Sequence, residues 1–310
     1  MAIYYNTEEL PIFKKAVLTI GTFDGVHHGH RTIIQKLVKH AQETGGESVL
    51  ITFEPHPRKI LFPDKPLKLI TPLEDKIELL TQAGIQHIVV VPFTRDFSNL
   101  SAKEYVVDFL VKYFQPESIV IGHDHHFGHD RSGNIHLLQE LADVYHYKVY
   151  EIPAQLIDDA AISSTKIRNA INAGDVTEAA EMLERFFSIT GDVIQGAKIG
   201  RTIGYPTANI HPSDHDQLIP AKGVYAVLAT VNDITYKAML NIGNRPTVDN
   251  DIKLHIEAHL FNFNADIYNT RIKVSFVKRI RDEEKFVSVE ALKQQLDKDK
   301  ATALNILAEI

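Results

Sequence analysis

Short apolar runs alternate with amphipathic segments through the first half of the chain. AVLTI (16–20), SVLITF (48–53), HIVVVPF (87–93) and SIVIG (118–122) are apolar almost throughout, and KVYEI (148–152) is read as a fifth strand of the same kind. That is the pattern of strands buried on both faces of a parallel sheet. Between them, RTIIQKLVKHAQ (31–42) and AKEYVVDFLVKYF (102–114) repeat apolar residues at helical spacing. T-P-L-E at 71–74 and S-A-K-E at 101–104 read as capping boxes, the first with Pro72 at the opening helical position. Strand, helix, strand repeated in this way predicts a doubly wound parallel sheet, whose ligands sit beyond the carboxyl ends of the strands.

The period changes near residue 187. GVYAVLATV, then Asn-Asp, then ITYKAMLNIG predicts two strands joined by a tight turn, and KLHIEAHLF and RIKVSFVKRI alternate in the same manner. Helical spacing returns only at the end, where Val289, Leu292, Leu296, Ala303 and Leu307 share one face. The expected architecture is therefore an α/β doubly wound domain over residues 1–185. A small antiparallel β-barrel with a terminal helix follows over 186–310.

Composition narrows the function. The chain has 310 residues with no Cys, which excludes disulfides and thiolate metal sites. No apolar run reaches the roughly 18 residues of a membrane span. The start, MAIYYNTEEL, lacks the regions of a signal peptide, so a cytoplasmic location without membrane contact is expected. The net charge of −7, with both signs interspersed, argues against a nucleic-acid partner.

The chemistry concentrates in a few stretches. GTFDGVHHGH (21–30) leaves the first strand of the α/β pattern and enters a helix. Gly25 and Gly29 let backbone approach a ligand. His30 falls in the first turn of the helix, where anions are favoured and imidazoles donate to phosphate. Solvated histidines, or a metal site at His27, His28 and His30, are the competing readings; the spacing is tight for a tetrahedral ion. ISSTKIR (162–168) opens a second helix, with Ser163 or Ser164 able to cap it and Lys166 and Arg168 as phosphate-binding cations. His123, His125, His126 and His129 could form a zinc loop, although neighbouring side chains of an extended segment point apart. In GRTIGYPTANI (200–210), Gly200 and Gly204 permit a tight phosphate-binding loop. Thr207 and Asn209 alternate so as to offer hard oxygens to one Mg²⁺. A β-bulge or polar strand is the plainer alternative, and Pro206 favours an edge or loop.

His27, Gly29 and His30 resemble the H-x-G-H signature of nucleotidyltransferases. With FEPHP (53–57), GHDHHFGHDRSG (122–133) and ISSTKIR, the first half resembles the adenylyltransferase part of the bifunctional bacterial riboflavin kinase/FAD synthetase family. GRTIGYPTANI, GVYA (223–226), NIGNRPTV (241–248) and HIEAHLFNF (255–263) resemble its kinase part. The resemblance implies that His27, His30, Ser164 and Arg168 hold ATP phosphates, with Gly29 admitting the backbone and His56 and Asp124 lining the site. In the kinase part it implies Gly200, Arg201 and Gly204 at phosphates, Mg²⁺ at Thr207 and Asn209, and Glu257 as catalytic carboxylate. Riboflavin would become FMN and then FAD, each step using ATP. The chain departs from the family pattern at His125, where Phe is usual, and at MLERFF (182–187), where L-L-G-R-P-Y is usual. Asn262 and Asn269 replace the common Asp and Gly. The departure at His125 and His126 raises an alternative expectation, a riboflavin kinase with a weak or altered adenylyltransferase site.

Overall fold

Strand β2 (Val17–Ile20) is the one about which the first part of the chain is ordered. In the computed structural model, which describes residues 1–153, 162–196, 200, 203–246 and 252–310, the chain divides into two compact units, Met1–Ser163 and Ser164–Ile310. In the first, β1 (Ala2–Tyr4), β2, β3 (Ser48–Glu54), β4 (His87–Pro92), β5 (Ser118–Gly122) and β6 (Lys148–Ile152) form one sheet in the order β1-β4-β3-β2-β5-β6. Every pairing is parallel. Successive side chains of β2 feed opposite faces. Leu18 and Ile20 join the core that holds Phe109 and Phe114, whereas Val17 joins Ile34, Leu37 and Leu80. Burial on both faces explains the unbroken apolar runs of β2–β5; β6 departs from the expectation, for it is an edge strand on which Lys148, Tyr150 and Glu151 are exposed and Ile152 alone is buried. The strand order reverses about β2 and β5, so their carboxyl ends frame the crevice in which such sheets bind ligands.

Helix α1 (His28–Thr44) follows β2, and α2 (Pro57–Leu61) and α3 (Leu73–Gln82) follow β3. The box at Ser101 forms with both reciprocal bonds. The one expected at Thr71 does not: α3 takes Pro72 as its N-cap, with no side-chain cap bond. The Thr71 N–H instead donates to the Asp24 carboxylate at 3.0 Å. After Ser101 the helix widens to π geometry over Tyr105–Val111, a change that apolar spacing does not register.

The second unit contains a closed antiparallel barrel. Its strands are β7 (Phe187–Ile194), β8 (Ala208–Pro212), β9 (Gly223–Val231), β10 (Ile234–Pro246), β11 (Ile252–Leu260) and β12 (Arg271–Arg281), in the closed order β10-β11-β8-β7-β12-β9. Closure leaves no edge for foreign strands. The β9–β10 turn places Asn232 and Asp233 at φ 48° and 62°, the left-handed pair that a two-residue hairpin requires. The terminal helix, Val289–Ile306, buries Ala303 and, just beyond its end, Leu307 against Tyr205, Met239 and Phe261. Val289 is 56% exposed, so the predicted apolar face begins a turn too early. Asp299 is buried on that helix, where the Arg281 guanidinium grips both its oxygens at 2.7–3.1 Å and Gln295 donates at 2.9 Å.

Two departures from the family pattern acquire a physical meaning. Asn269 has φ 59°, a left-handed backbone that Gly adopts freely and Asn tolerates. Glu184, where the pattern has Gly, ends the helix Val176–Leu183 at φ 55°. Glutamate tolerates that conformation less well than Gly or Asn, at a cost of about 1–2 kcal/mol. Glu184→Gly is expected to stabilise the second unit by about that amount, read as a higher denaturant midpoint at unchanged slope.

Candidate active sites

In the first unit, the loops after β3, β2 and β5 leave three adjacent parallel strands at their carboxyl ends. They carry FEPHP, GTFDGVHHGH and GHDHHFGH respectively. The turn after β2 is unusual: Phe23, Gly25 and Val26 all have left-handed backbone, at φ 48°, 92° and 40°. It delivers His27 as the N-cap of α1, so that Gly29 and His30 fall in the first helical turn, as the sequence predicts. The imidazoles of His27 and His30 stack with centroids 3.8 Å apart and planes 19° from parallel, and Phe23 packs against His30 at 5.1 Å. That first turn has no acidic residue. Two imidazoles at the positive end of a 17-residue helix suit an anion.

His56 caps α2, its Nδ1 accepting the Arg58 N–H at 3.1 Å. The ring proton is thereby assigned to Nε2. Asp124 is exposed on the β5 loop. Beside it, His125 is half-buried with its ring 5.8 Å from Phe127, and burial pushes it down to about 4. His123, His126 and His129 are exposed. Among the described residues, the histidines of 27–30 and 123–129 do not bring three ligand atoms together. The group that does is Asp214, His215 and Asp216 on the second unit.

Ser164, Lys166 and Arg168 stand in the first turns of the helix Ser164–Ala173, which opens the second unit. Lys166 is exposed, and Ser164 and Arg168 are partly so.

On the barrel, Glu257 of β11 lies opposite Asn209 of β8 and Asn241 of β10. Directly opposed residues share a face, so the three form one row. The Glu257 carboxylate, about a third exposed, lies 3.1 Å from His255 Nδ1. Asn209 is 5% exposed and packs over the bare Cα of Gly196, where any Cβ would collide with its amide. Its Oδ1 is buried without a hydrogen-bond partner. An orphaned amide oxygen costs free energy unless something electropositive meets it, and hard oxygens are the donors that Mg²⁺ takes. Thr207, half-buried, precedes β8. Asn209 and Thr207 therefore fit the ion expected of them. Pro206 lies in the loop before β8, as its chemistry anticipates.

The approach to that strand is pinned on both sides. His259 Nδ1 donates to the Pro206 carbonyl at 2.7 Å, and burial lowers the pKa of this ring. The Tyr205 hydroxyl donates to Asp297 of the terminal helix, and its pKa is pushed up to about 12 by burial and by that carboxylate. Gly204 has φ 87°, and Gly200 accepts the Tyr205 N–H at 2.8 Å; a Cβ at Gly200 would meet the Tyr205 carbonyl. Arg201 lies outside the described residues.

Some groups at these sites escaped sequence reasoning. The Asp24 carboxylate, 2% exposed, accepts the N–H groups of Ile70 and Thr71. Lys76, 5% exposed, reaches the Thr22 carbonyl and the Thr52 hydroxyl. The available signal was a lysine on the apolar face of α3, between Leu73 and Leu80. Glu283 approaches Gly243 so closely that a Cβ there would meet its Oε1, and the Asn241 amide nitrogen would lie 3.2 Å from that Cβ; nothing in the local sequence of Glu283 marks it.

A parallel sheet with two imidazoles at a helix N-terminus, and a barrel that pairs a carboxylate with an orphaned amide oxygen, suit phosphate-transfer chemistry, and matches to two known families give the class, a transferase. Residues 10–166 match the FAD synthetase family and residues 183–307 the riboflavin kinase family. The chain is 36% identical to the bifunctional riboflavin kinase/FMN adenylyltransferase of Escherichia coli K12, covering 93% of this chain and 91% of that one. It is 38% identical to the Bacillus subtilis protein of the same name, over 96% and 94%. A crystal structure titled a macrolide-efflux protein, from Streptococcus pneumoniae, superposes with a TM-score of 0.87 at 32% identity over 98% of both chains. The chain belongs to the bifunctional riboflavin kinase/FMN adenylyltransferase family.

The lowered pKa of His125 makes a prediction about acid. The unfolded ring takes a proton near pH 6.5, but the folded one only near 4. In that window the unfolded state binds more protons, so stability is full above pH 6.5 and falls as pH drops towards 4. His125→Phe is expected to flatten this limb. Thermal midpoints measured between pH 4 and 7 for both proteins check it.

Proposed function

We propose that the chain makes FAD in two steps, with the division of labour at residue 185. The barrel transfers the γ-phosphate of ATP to the terminal ribityl hydroxyl of riboflavin, giving FMN and ADP. The N-terminal domain then directs the FMN phosphate onto the α-phosphate of a second ATP, giving FAD and pyrophosphate. The observation that carries this reading is the match of one chain to both family models in order. The geometry of each unit suits its half. A kinase-only reading, raised by His125 and His126, is not favoured, because the FAD synthetase match spans the loop that holds them.

In the kinase half, Glu257 accepts the proton leaving the hydroxyl as phosphoryl transfer proceeds. Asn209 and Thr207 would hold Mg²⁺, which when bound draws charge from the transferring phosphoryl group. Gly200, Arg201 and Gly204 form the phosphate loop by resemblance. In the adenylyltransferase half the nucleophile belongs to FMN, so the protein aligns it and stabilises charge. His27 and His30 donate to the phosphates at the head of α1, Gly29 admits the backbone, and His56 and Asp124 line the site. For Ser164, Lys166 and Arg168 the assignment to ATP phosphates rests on the motif and the helix start. We place the reactions in the cytoplasm, without nucleic acid or membrane. In support, no helix among the described residues is long and apolar enough to cross a bilayer, and the net charge is −7.

Flavin chromatography tests the assignment. Purified protein with riboflavin, ATP and Mg²⁺ is expected to give FMN and then FAD. Glu257→Gln should cut FMN formation by roughly 10²-fold or more while leaving FAD formation from added FMN intact, and His30→Ala should do the reverse. Loss of both reactions in either folded variant would reject two independent sites. Asn209→Ala should leave FAD formation from FMN unchanged but raise the Mg²⁺ concentration that the kinase step requires.

A further inference from the structure

The sequence motifs do not include Lys76, yet it is buried beneath the irregular turn that follows β2. Its ammonium donates to the Thr22 carbonyl at 3.2 Å and to Thr52 Oγ1 at 3.1 Å, and the Thr52 hydroxyl itself donates to the same carbonyl at 3.2 Å. Thr52 is fully buried on β3. Thr22 opens the turn whose next residues include three of left-handed backbone, Phe23, Gly25 and Val26. The β-branched Val26 is among the residues least suited to that region. Such a conformation persists only where its surroundings over-determine it. Here they do: the Gly21 N–H donates to Ile51 at 3.0 Å, and the Asp24 carboxylate is held by two backbone N–H groups of the segment leading into α3. Burial pulls the Lys76 pKa down, and the charges of Asp24 and Glu54 oppose that shift. Burying a long flexible ammonium is costly unless it is hydrogen-bonded, and here its two hydrogen bonds both converge on Thr22, one directly and one through Thr52.

We propose that Lys76 is a positioning residue for adenylyl transfer, clamping the Thr22 carbonyl so that the left-handed turn presents His27 and His30 to the triphosphate. The proposal rests on the adenylyltransferase reading of this unit. Lys76 does not touch the substrate. It acts on the turn, five residues ahead of His27, and through the turn on the two stacked imidazoles. A displacement of about 1 Å at such groups is enough to cost on the order of 10²-fold in rate.

The experiment compares wild type, Lys76→Met, Thr52→Val, His27→Ala and the Lys76→Met/His27→Ala double variant in the full chain, assayed for FAD formation from FMN and ATP. Riboflavin phosphorylation by the same preparations and thermal unfolding report folding. Lys76→Met is expected to lower kcat for FAD formation at least tenfold, to leave FMN formation at the wild-type rate, and to cost less in the His27→Ala background than in wild type. Thr52→Val is expected to lower the same kcat by less. A Lys76→Met protein that forms FAD at the wild-type rate would overturn the proposal. So would a loss of equal size with and without His27, the mark of a merely structural lysine. Should Lys76→Met fail to fold, Thr52→Val decides alone: reduced kcat supports the clamp, and wild-type kcat refutes it. If wild type itself makes no FAD, the functional reading fails, and the clamp falls with it.

Discussion

The backbone between β2 and α1 must turn through three left-handed residues, at Phe23, Gly25 and Val26, before the helix can start at His28. Gly25 does so freely, but Phe23 and Val26 each lose about 1–2 kcal/mol. Burial of the Phe23 ring, 2% exposed, returns about as much as one of those residues loses. The two backbone bonds to the Asp24 carboxylate are charge-assisted, at about 1.5–3 kcal/mol each. The turn is therefore sustainable, and what it secures is direction. It aims the positive end of α1 and two stacked imidazoles into the crevice at the reversal of strand order. A relaxed turn would leave the same histidines in the sequence and remove them from the site.

Much of this was legible in the chain because hydrophobic period follows directly from burial. The parallel sheet, the barrel, the Asn-Asp hairpin and the box at Ser101 each rest on a local rule, and the structure follows each. Legibility fails where a distant group overrides the local one. Thr71 has a good capping sequence, but its N–H belongs to Asp24, 47 positions earlier. Val289 matches the apolar face of the last helix yet lies beyond the barrel surface that covers Ala303. Asp299 breaks the apolar pattern because Arg281 neutralises it in place. The π turn at Tyr105–Val111 keeps apolar residues inward, so its spacing reads as an ordinary helix.

The same division holds for the sites. His27, His30, Asn209 and Glu257 sit in compact motifs, where neighbouring residues share one task. Lys76, Asp24 and Glu283 meet their partners only through the fold, and a single sequence carries no trace of those pairings beyond a misplaced charge on α3. His125 shows a different kind of limit. Its substitution is plain in the sequence. Only the fold shows that burial keeps the ring neutral at pH 7, so the loop gains no charge from it.

The two proposed reactions call for two unlike phosphate sites. Transfer of a terminal phosphoryl group to a neutral hydroxyl needs a place for the leaving proton and a hard cation for the moving charge. The row Asn241–Glu257–Asn209 combines a carboxylate with an orphaned oxygen beside it. Attack on an inner phosphorus by a phosphate monoester has no such proton to remove, since that nucleophile is already an anion near neutral pH. Its obstacle is repulsion between anions, and helix N–H groups with imidazole donors oppose that repulsion. A carboxylate at the head of α1 would add to it, which accounts for the absence of acidic residues from that first turn. The Asp24 carboxylate, close by in sequence, is committed instead to the backbone of the segment entering α3.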